Sequence, residues 1–260
     1  LHDALPIYKH LKSPNISAAL FDLDGTILNQ KEVIPEEIVL RIRHISKFVP
    51  TSLVSGRIFS SVYDYSKVLG LTSPQISDNG ALIFDPNNKE IIFNKSIDST
   101  IAEQVFNLLD SNGFYYFASS MGEQMTNESK NKTNNNVNII TCLYDDVIDY
   151  ISSNSKIDIS KISLVPSSGS SDEKYLSFMP KDIHKGIAID EYSSFLNIDK
   201  SKIFAIGDGL NDIEMLSSVG YSVAMGNSVP ELFQICKFST KSFVENGTIE
   251  ALDWIIEGLN

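Results

Sequence analysis

Two acidic residues follow a short apolar segment near the start of the chain, at a spacing that could do chemistry. Asp22 and Asp24 come directly after the apolar residues 16–21 and stand before Gly25 and Thr26. Side chains two positions apart on an extended strand point the same way. Like charges held so close are unfavourable unless a cation or a proton separates them. The spacing therefore predicts a cation site or a catalytic carboxylate pair, with a plain acidic turn as the alternative.

A second acidic cluster follows another apolar segment near the other end of the chain. Asp208, Asn211 and Asp212 come after residues 203–206. The carboxyl ends of parallel strands are where open α/β sheets bind ligands, so the two clusters are expected to converge there. Hard oxygen ligands of this kind suit Mg²⁺. The alternative, capping of a helix N-terminus by Asn211 or Asp212, leaves the other acidic cluster unexplained.

Two further segments could bind a phosphoryl group. Ser55-Gly56-Arg57 ends a short predicted strand, and a serine hydroxyl beside a helix N-terminus can hold phosphoryl oxygens. Lys185 opens a later helical pattern, between the two acidic clusters in chain order. The alternatives are a simple turn before a helix for the first segment and a solvated surface lysine for the second.

The composition excludes several classes of function. The 260 residues carry 33 acidic and 21 basic side chains, a formal charge of −12, which disfavours nucleic acid as a partner. No apolar run approaches the roughly 18 residues that span a bilayer, so we expect no membrane partner. Cys142 and Cys236 are too few and too far apart for a disulfide framework, which predicts a cytoplasmic protein with reduced thiols.

The order of the predicted elements indicates two domains. Alternating apolar runs and helical patterns in residues 15–81 and 182–260 predict a Rossmann-like three-layer α/β core with a mostly parallel sheet. Residues 82–181 mix helices with antiparallel-looking strands, which predicts an inserted α+β domain. Residues 1–14 are an N-terminal extension. Its first seven residues are similar to the translated end of a sequencing adapter, so we expect them to be an artefact.

Taken together, the four segments resemble a known superfamily. D-L-D-G-T at 22–26, S-G-R at 55–57, K-G at 185–186 and G-D-G-L-N-D at 207–212 are similar to the four motifs of haloacid dehalogenase-like (HAD) hydrolases. The insert, entered through Asn79-Gly80-Ala81, looks like the type IIB cap of the Cof-like branch. One departure is Asp182 after Pro180-Lys181, where that branch usually has glycine.

The resemblance implies a Mg²⁺-dependent phosphatase that hydrolyses small phosphorylated metabolites, such as sugar phosphates, through an aspartyl-phosphate. Asp22 would be the nucleophile and Asp24 the general acid and base, with the Asp24 backbone carbonyl on the metal. The implied residues are Asp22, Asp24 and Lys185 for catalysis; Ser55, Gly56, Lys185 and Asn211 for phosphate; Asp22, Asp24, Asp208 and Asp212 for the metal; and Arg57 and Asn79 at the junction of core and cap.

Two other functions remain open at this point. A phosphomutase would use the same residues and return the phosphoryl group to its substrate. A non-catalytic module switched by phosphorylation also surrounds an aspartate with acids and a lysine, but such receivers are shorter and lack a large insert. The particular phosphate ester and the oligomeric state do not follow from the sequence.

Overall fold

The computed structural model describes residues 11–12, 14–129, 132–144, 147–148, 150–151, 157–168 and 174–259, so the first seven residues lie outside the described chain. The strands are β1 (Ala18–Phe21), β2 (Thr51–Leu53), β3 (Gln75–Ser77), β4 (Leu82–Phe84), β5 (Ile91–Asn94), β6 (Tyr116–Ser120), β7 (Glu123–Thr126), β8 (Val137–Leu143), β9 (Ile162–Ser168), β10 (Lys174–Pro180), β11 (Ile203–Gly207), β12 (Tyr221–Ala224) and β13 (Phe238–Ser239). The α-helices with fully described ends are α1 (Glu36–Ile45), α2 (Phe59–Leu69), α3 (Ser99–Ser111), α4 (Lys185–Leu196), α5 (Ile213–Ser218), α6 (Pro230–Ile235) and α7 (Gly247–Leu259).

The core is built on a five-stranded parallel sheet in the order β13-β12-β11-β1-β2. β1 lies inside the sheet, with Ala18 opposite Ile203 on one side and Ala19 opposite Thr51 on the other. All four residues of β1 are buried. A strand covered on both faces needs apolar side chains on both, which accounts for its continuous apolar run.

Helices cover both faces of this sheet. On one face, α1, α2 and α7 pack into a hydrophobic cluster with side chains of β1 and β11. Ile38, Ile42 and Ile45 of α1 are buried there, at the spacing of one helical face. On the other face, α4 and α5 contribute Ile189 and Met215 to a second cluster. The predicted three-layer α/β core is confirmed.

A small antiparallel sheet extends the core beside β2. It has the order β3-β4-β5, and Val54, directly after β2, bridges Ile76 of β3. Leu82 and Phe84 belong to the first hydrophobic cluster of the core and Ile83 to the second. Residues 82–94, the first part of the predicted insert, therefore pack against the core.

The cap is an antiparallel sheet in the order β7-β6-β8-β10-β9, with α3 packed on its outer face. It has its own hydrophobic cluster, which begins in the chain at Ile97. Its inner face meets the core, where Ile139 and Met179 pack with Ile58 and Ala81. The predicted α+β insertion is confirmed. Among the described residues, no helix combines the length and the apolar character required to cross a membrane.

Candidate active site

Lys185 lies between two aspartates at the carboxyl edge of the core sheet. Its Nζ donates to Oδ1 of Asp22 and to Oδ1 of Asp212, at 2.6 Å in each case. Asp22 directly follows β1, and Lys185 is the first residue of α4. The lysine side chain is fully buried, and a buried ammonium requires paired negative charge. Lys185 is therefore part of the site and not a solvated surface lysine.

The loop after β11 is organised around the carboxylate of Asp212. Its Oδ2 accepts hydrogen bonds from the backbone N–H groups of Asp208, at 3.0 Å, and Gly209, at 2.9 Å. Its Oδ1 accepts from Lys185. Asp212 thus fixes both the shape of the Asp208 loop and the position of the lysine.

Burial and mutual repulsion shift the acids of this cluster. Burial, followed by the charge of Asp212, raises the pKa of Asp22, against the opposing effect of Lys185. The same two causes raise the pKa of Asp208 to about 7. Burial acts to lower the pKa of Lys185, but the carboxylates of Asp212 and Asp22 outweigh it and raise that pKa. The cluster holds more negative charge than the lysine offsets.

Three of these carboxylates could hold a metal ion together. Asp22, Asp208 and Asp212 each offer an oxygen, and the three oxygens lie within 4.8 Å of one another. Carboxylate oxygens are hard ligands, and a divalent cation here would offset the excess charge and favour the ionised acids. The residues fit a cation such as Mg²⁺. Asp24 was predicted to bind the metal through its backbone carbonyl, which stays a prediction; its carboxylate is not part of this cluster.

Asp24 is instead held by Arg57. Nε and Nη2 of Arg57 donate to the two carboxylate oxygens of Asp24, at 2.8 and 2.7 Å. Nη2 also donates to Oε1 of Glu32, at 2.7 Å, and the guanidinium carbon lies 5.7 Å from the centre of the Tyr65 ring. Burial acts to lower the pKa of Arg57, but its hydrogen bonds to Asp24 and Glu32 raise it. Arg57 is thus a fixed cation beside the predicted general acid.

The residues predicted to bind phosphate come from adjacent loops. Ser55 follows β2 and is 1% exposed, and its hydroxyl oxygen accepts from the Arg57 backbone N–H at 3.1 Å, which leaves its proton to donate. Nδ2 of Asn211 donates to Oδ1 of Asn79 at 3.1 Å. A Cβ atom on Gly56 would lie 3.4 Å from Nδ2 of Asn211. The structure therefore brings Gly56, Asn79 and Asn211 together.

Asn227 is a site residue that the motif assignment left without a role. Its Nδ2 donates to Oδ2 of Asp208 and to the backbone oxygen of Gly25, both at 3.0 Å. Thr26 donates to the other Asp208 oxygen at 3.2 Å. Gly25 has a φ of 74°, and a Cβ atom there would lie 2.1 Å from the Asp208 carboxylate. Asn227 lies in the loop after β12, the neighbour of β11 in the sheet, and this place in a strand-end loop is the signal that could have identified it.

The two chain passages between core and cap meet beside this site. Gly80 has a φ of 97°, and a Cβ atom there would lie 2.6 Å from the backbone oxygen of His184 and 3.0 Å from the backbone nitrogen of Lys185. The first passage therefore packs directly against the segment that carries the lysine. Above the acidic cluster, a cleft of about 1090 Å³ is lined by Asp22 from the core and by residues such as Thr141 from the cap.

The family follows from a match along most of the chain. A profile of the family described as haloacid dehalogenase-like hydrolase matches residues 19–166 and 120–252. The chain belongs to this hydrolase family. The matched segments hold the loops after β1, β2 and β11, and the start of α4, so they include the acidic cluster and Lys185. The chain is thus an enzyme of the HAD-like hydrolase family, as its motifs predicted.

Curated relatives of this HAD-like hydrolase cover nearly its full length. The 5-amino-6-(5-phospho-D-ribitylamino)uracil phosphatase YcsE of Bacillus subtilis is 24% identical over 251 residues, 93% of this chain and 97% of its own. A phosphoglycolate phosphatase of Methanobrevibacter smithii is 25% identical over 240 residues, 92% of this chain and 98% of its own.

Solved structures agree with the fold of both domains. A haloacid dehalogenase-like hydrolase from Bacteroides thetaiotaomicron has a TM-score of 0.79 at 21% identity, covering 92% of this chain and 99% of its own. A HAD subclass IIB sugar phosphatase has a TM-score of 0.74 at 18% identity, covering 93% of this chain and 99% of its own. The HAD-like core with a type IIB cap, predicted from the motifs and the insert, is confirmed.

Proposed function

We propose that this HAD-like hydrolase is a Mg²⁺-dependent phosphatase of small phosphorylated metabolites that works through an aspartyl-phosphate on Asp22. The observation that carries the proposal is the buried ion triad, in which Lys185 lies 2.6 Å from both Asp22 and Asp212. The ammonium fixes the Asp22 carboxylate and offsets part of its charge where an approaching phosphoryl group adds more.

In the first step a carboxylate oxygen of Asp22 bonds to phosphorus and the bond between phosphorus and the alcohol oxygen breaks. Asp24 gives a proton to the departing alcohol oxygen. In the second step Asp24 takes a proton from water, and the water oxygen bonds to phosphorus as the bond to Asp22 breaks. The products are the free alcohol and inorganic phosphate.

The other residues bind and orient the phosphoryl group. The Ser55 hydroxyl has a proton to donate to a phosphoryl oxygen, and Gly56 and Asn211 stand on the loops beside it. Asp22 and Asp208 would hold Mg²⁺, with Asp212 bracing the site and the Asp24 backbone carbonyl as a further ligand. When bound, Mg²⁺ supplies charge stabilisation for the transferring group.

The two cysteines are not joined in a disulfide, which supports a cytoplasmic location.

The test is release of inorganic phosphate from p-nitrophenyl phosphate and a panel of sugar phosphates, with Mg²⁺ and with EDTA. We expect turnover with Mg²⁺, loss of turnover in EDTA, and a trapped phosphoenzyme that is missing from Asp22→Asn. Isomerised phosphate ester without free phosphate would establish a phosphomutase. A stable phosphoprotein without turnover would establish a phosphorylation-switched module, and full activity in EDTA would exclude the metal.

A further inference from the structure

Asn227 hydrogen-bonds three loops that meet at the carboxyl edge of the core sheet. Its own loop follows β12. Its Nδ2 donates to the backbone oxygen of Gly25, in the loop after β1, and to Oδ2 of Asp208, directly after β11. Its Oδ1 accepts from the backbone N–H of Phe243, between β13 and α7, at 2.9 Å. One exposed side chain at the cleft therefore joins segments up to 202 residues apart.

These partners fix the direction in which the carboxamide of Asn227 points. The backbone N–H of Phe243 can only donate, so it faces the amide oxygen. The backbone carbonyl of Gly25 can only accept, so it faces the amide nitrogen. Asp208 therefore receives an N–H donor from Asn227. An aspartate at this position would keep the shape and the bond from Phe243, but it would turn a negative oxygen toward Asp208.

The carboxylate of Asp208 is held from several sides. Thr26 donates to its Oδ1 at 3.2 Å, and Asn227 donates to its Oδ2 at 3.0 Å. The position of a Cβ atom on Gly25 lies 2.1 Å from Oδ2, so the carboxylate lies directly against that backbone. The Asp208 backbone oxygen accepts from the Val229 N–H at 3.0 Å. Two hydrogen bonds, one to each carboxylate oxygen, therefore oppose rotation of this group.

The direction of this carboxylate matters for a metal ion. An oxygen that accepts one hydrogen bond keeps a lone pair for a cation, and Asp208 offers an oxygen within 4.8 Å of those of Asp22 and Asp212. Mg²⁺ requires nearly ideal octahedral geometry, whereas Ca²⁺ takes about six to eight oxygen ligands in flexible arrangements. A carboxylate with a fixed direction therefore favours the smaller ion, and one that can rotate favours it less.

We propose that Asn227 is a positioning residue of the metal site, which holds the Asp208 carboxylate in one direction and so makes the site prefer Mg²⁺ to Ca²⁺. This inference rests on the proposed function, in which Asp208 is a ligand of Mg²⁺. Asn227 acts through Asp208, because its amide nitrogen faces that carboxylate and its oxygen faces Phe243. If Asn227 only joined the loops, it would contribute to stability without affecting the choice of ion.

The test is calorimetric titration of the metal-free protein with Mg²⁺ and with Ca²⁺, without substrate. It compares the natural protein with Asn227→Ala and Asn227→Asp. Ser228→Ala is the matched control, because the Ser228 hydroxyl donates to the backbone oxygen of Gly207, at 3.3 Å, and not to a carboxylate. Thermal unfolding checks that each variant folds. Phosphate release from p-nitrophenyl phosphate is measured on the same preparations.

We expect Asn227→Ala to bind Mg²⁺ about tenfold more weakly, as on loss of a hydrogen-bond partner that orients a metal ligand. Its affinity for Ca²⁺ should change by less than about threefold, because Ca²⁺ tolerates a displaced ligand. Asn227→Asp should also shift the preference toward Ca²⁺, because it adds an oxygen beside Asp208 and removes the donor. Ser228→Ala should match the natural protein with both ions.

An equal loss for both ions, or unchanged binding by Asn227→Ala, would overturn the proposal and give Asn227 a purely structural role. A natural protein that binds neither ion would overturn the metal site and this inference with it. If the natural protein binds Mg²⁺ but releases no phosphate, the phosphatase function fails, while the titrations of the variants still decide the role of Asn227.

Discussion

Arg57 occupies both carboxylate oxygens of Asp24 through its Nε and one terminal nitrogen. A two-point contact of this kind fixes the direction of a carboxylate more strongly than a single ammonium does. In the proposed mechanism Asp24 must reach the oxygen that leaves phosphorus. Arg57 therefore acts as a positioning residue for the acid, and Glu32 holds Arg57 from the other side.

Replacing Arg57 with lysine should slow the enzyme most on esters with poor leaving groups. Lysine keeps the charge but loses the two-point contact, so Asp24 is less well placed to give its proton. We expect kcat for a sugar phosphate to fall roughly tenfold and kcat for p-nitrophenyl phosphate to fall less. Glu32→Gln keeps the contact with Asp24 and should give a smaller effect. Equal losses on both esters would argue against a positioning role.

Asp24→Asn tests the acid directly. An amide cannot transfer the proton, and general acid catalysis contributes roughly 10²- to 10⁴-fold for poor leaving groups. We expect a loss in that range on sugar phosphates, with a smaller loss on p-nitrophenyl phosphate, whose leaving group needs little protonation. Phosphoenzyme should still form from p-nitrophenyl phosphate, because Asp22 is intact. If both substrates slow equally, Asp24 is not the acid.

Asp78 predicts a pH dependence of stability. It is fully buried beside the cap junction, and burial raises its pKa to about 7, although the Ser77 hydroxyl donates to it at 2.7 Å. In the unfolded chain this carboxyl has a pKa near 3.8. Between pH 3.8 and about 7 the folded state therefore binds more protons than the unfolded state, and the unfolding free energy of the natural protein falls as the pH rises. The fall amounts to at most about 4 kcal/mol.

Asp78→Asn cannot ionise and should escape this loss. The difference in unfolding free energy between the variant and the natural protein should shift in favour of the variant from pH 4 to pH 7 and level off above. Chemical denaturation at several pH values measures it. Asp182→Asn, at a side chain that is 83% exposed, is the control and should show little shift. A difference for Asp78→Asn that stays flat with pH would contradict the shifted pKa.

Gly80→Ala should destabilise the protein by about 2 kcal/mol or more. The backbone there has a positive φ, and the new methyl group would meet the backbone of His184, which cannot move aside as a flexible side chain could. Gly113→Ala is a matched control, since Gly113 also has a positive φ, of 69°, but nothing lies within 4 Å of its Cβ position. That control should cost about 1 kcal/mol from strain alone. Equal losses in the two variants would show that the close approach contributes nothing.

The sequence predicted which residues of the local motifs belong to the site. It did not predict the contacts between residues that are far apart in the chain and outside those motifs. Asp22 and Asp208 directly follow strands with a clear apolar pattern, and Lys185 begins a helix, so their meeting at one sheet edge follows from α/β geometry. The contact between Arg57 and Glu32 does not follow, because Glu32 lies in a loop with a positive φ that no periodic pattern predicts.

The first part of the insert shows a second limit of the sequence. The apolar residues at 82–84 and 91–94 are compatible with a strand that pairs with a core strand and equally with one that pairs with a cap strand. The structure pairs β4 with β3, and β3 continues the core sheet through Val54. The pairing partner of a short strand depends on long-range packing and cannot be predicted from the strand's own residues. The cap boundary at residue 82 therefore stays a prediction, and Ile97 marks where separate packing begins.

The contact between Gly80 and His184 has a consequence for how the protein folds. It makes the intervening chain a closed loop of about 100 residues, and closing so long a flexible loop costs roughly 4 kcal/mol of chain entropy. A cap that has already collapsed around its own hydrophobic cluster brings its ends together first and removes most of that cost. Assembly of β11 beside β1, and with it the meeting of Asp208 with Asp22, is then expected to follow cap formation in refolding.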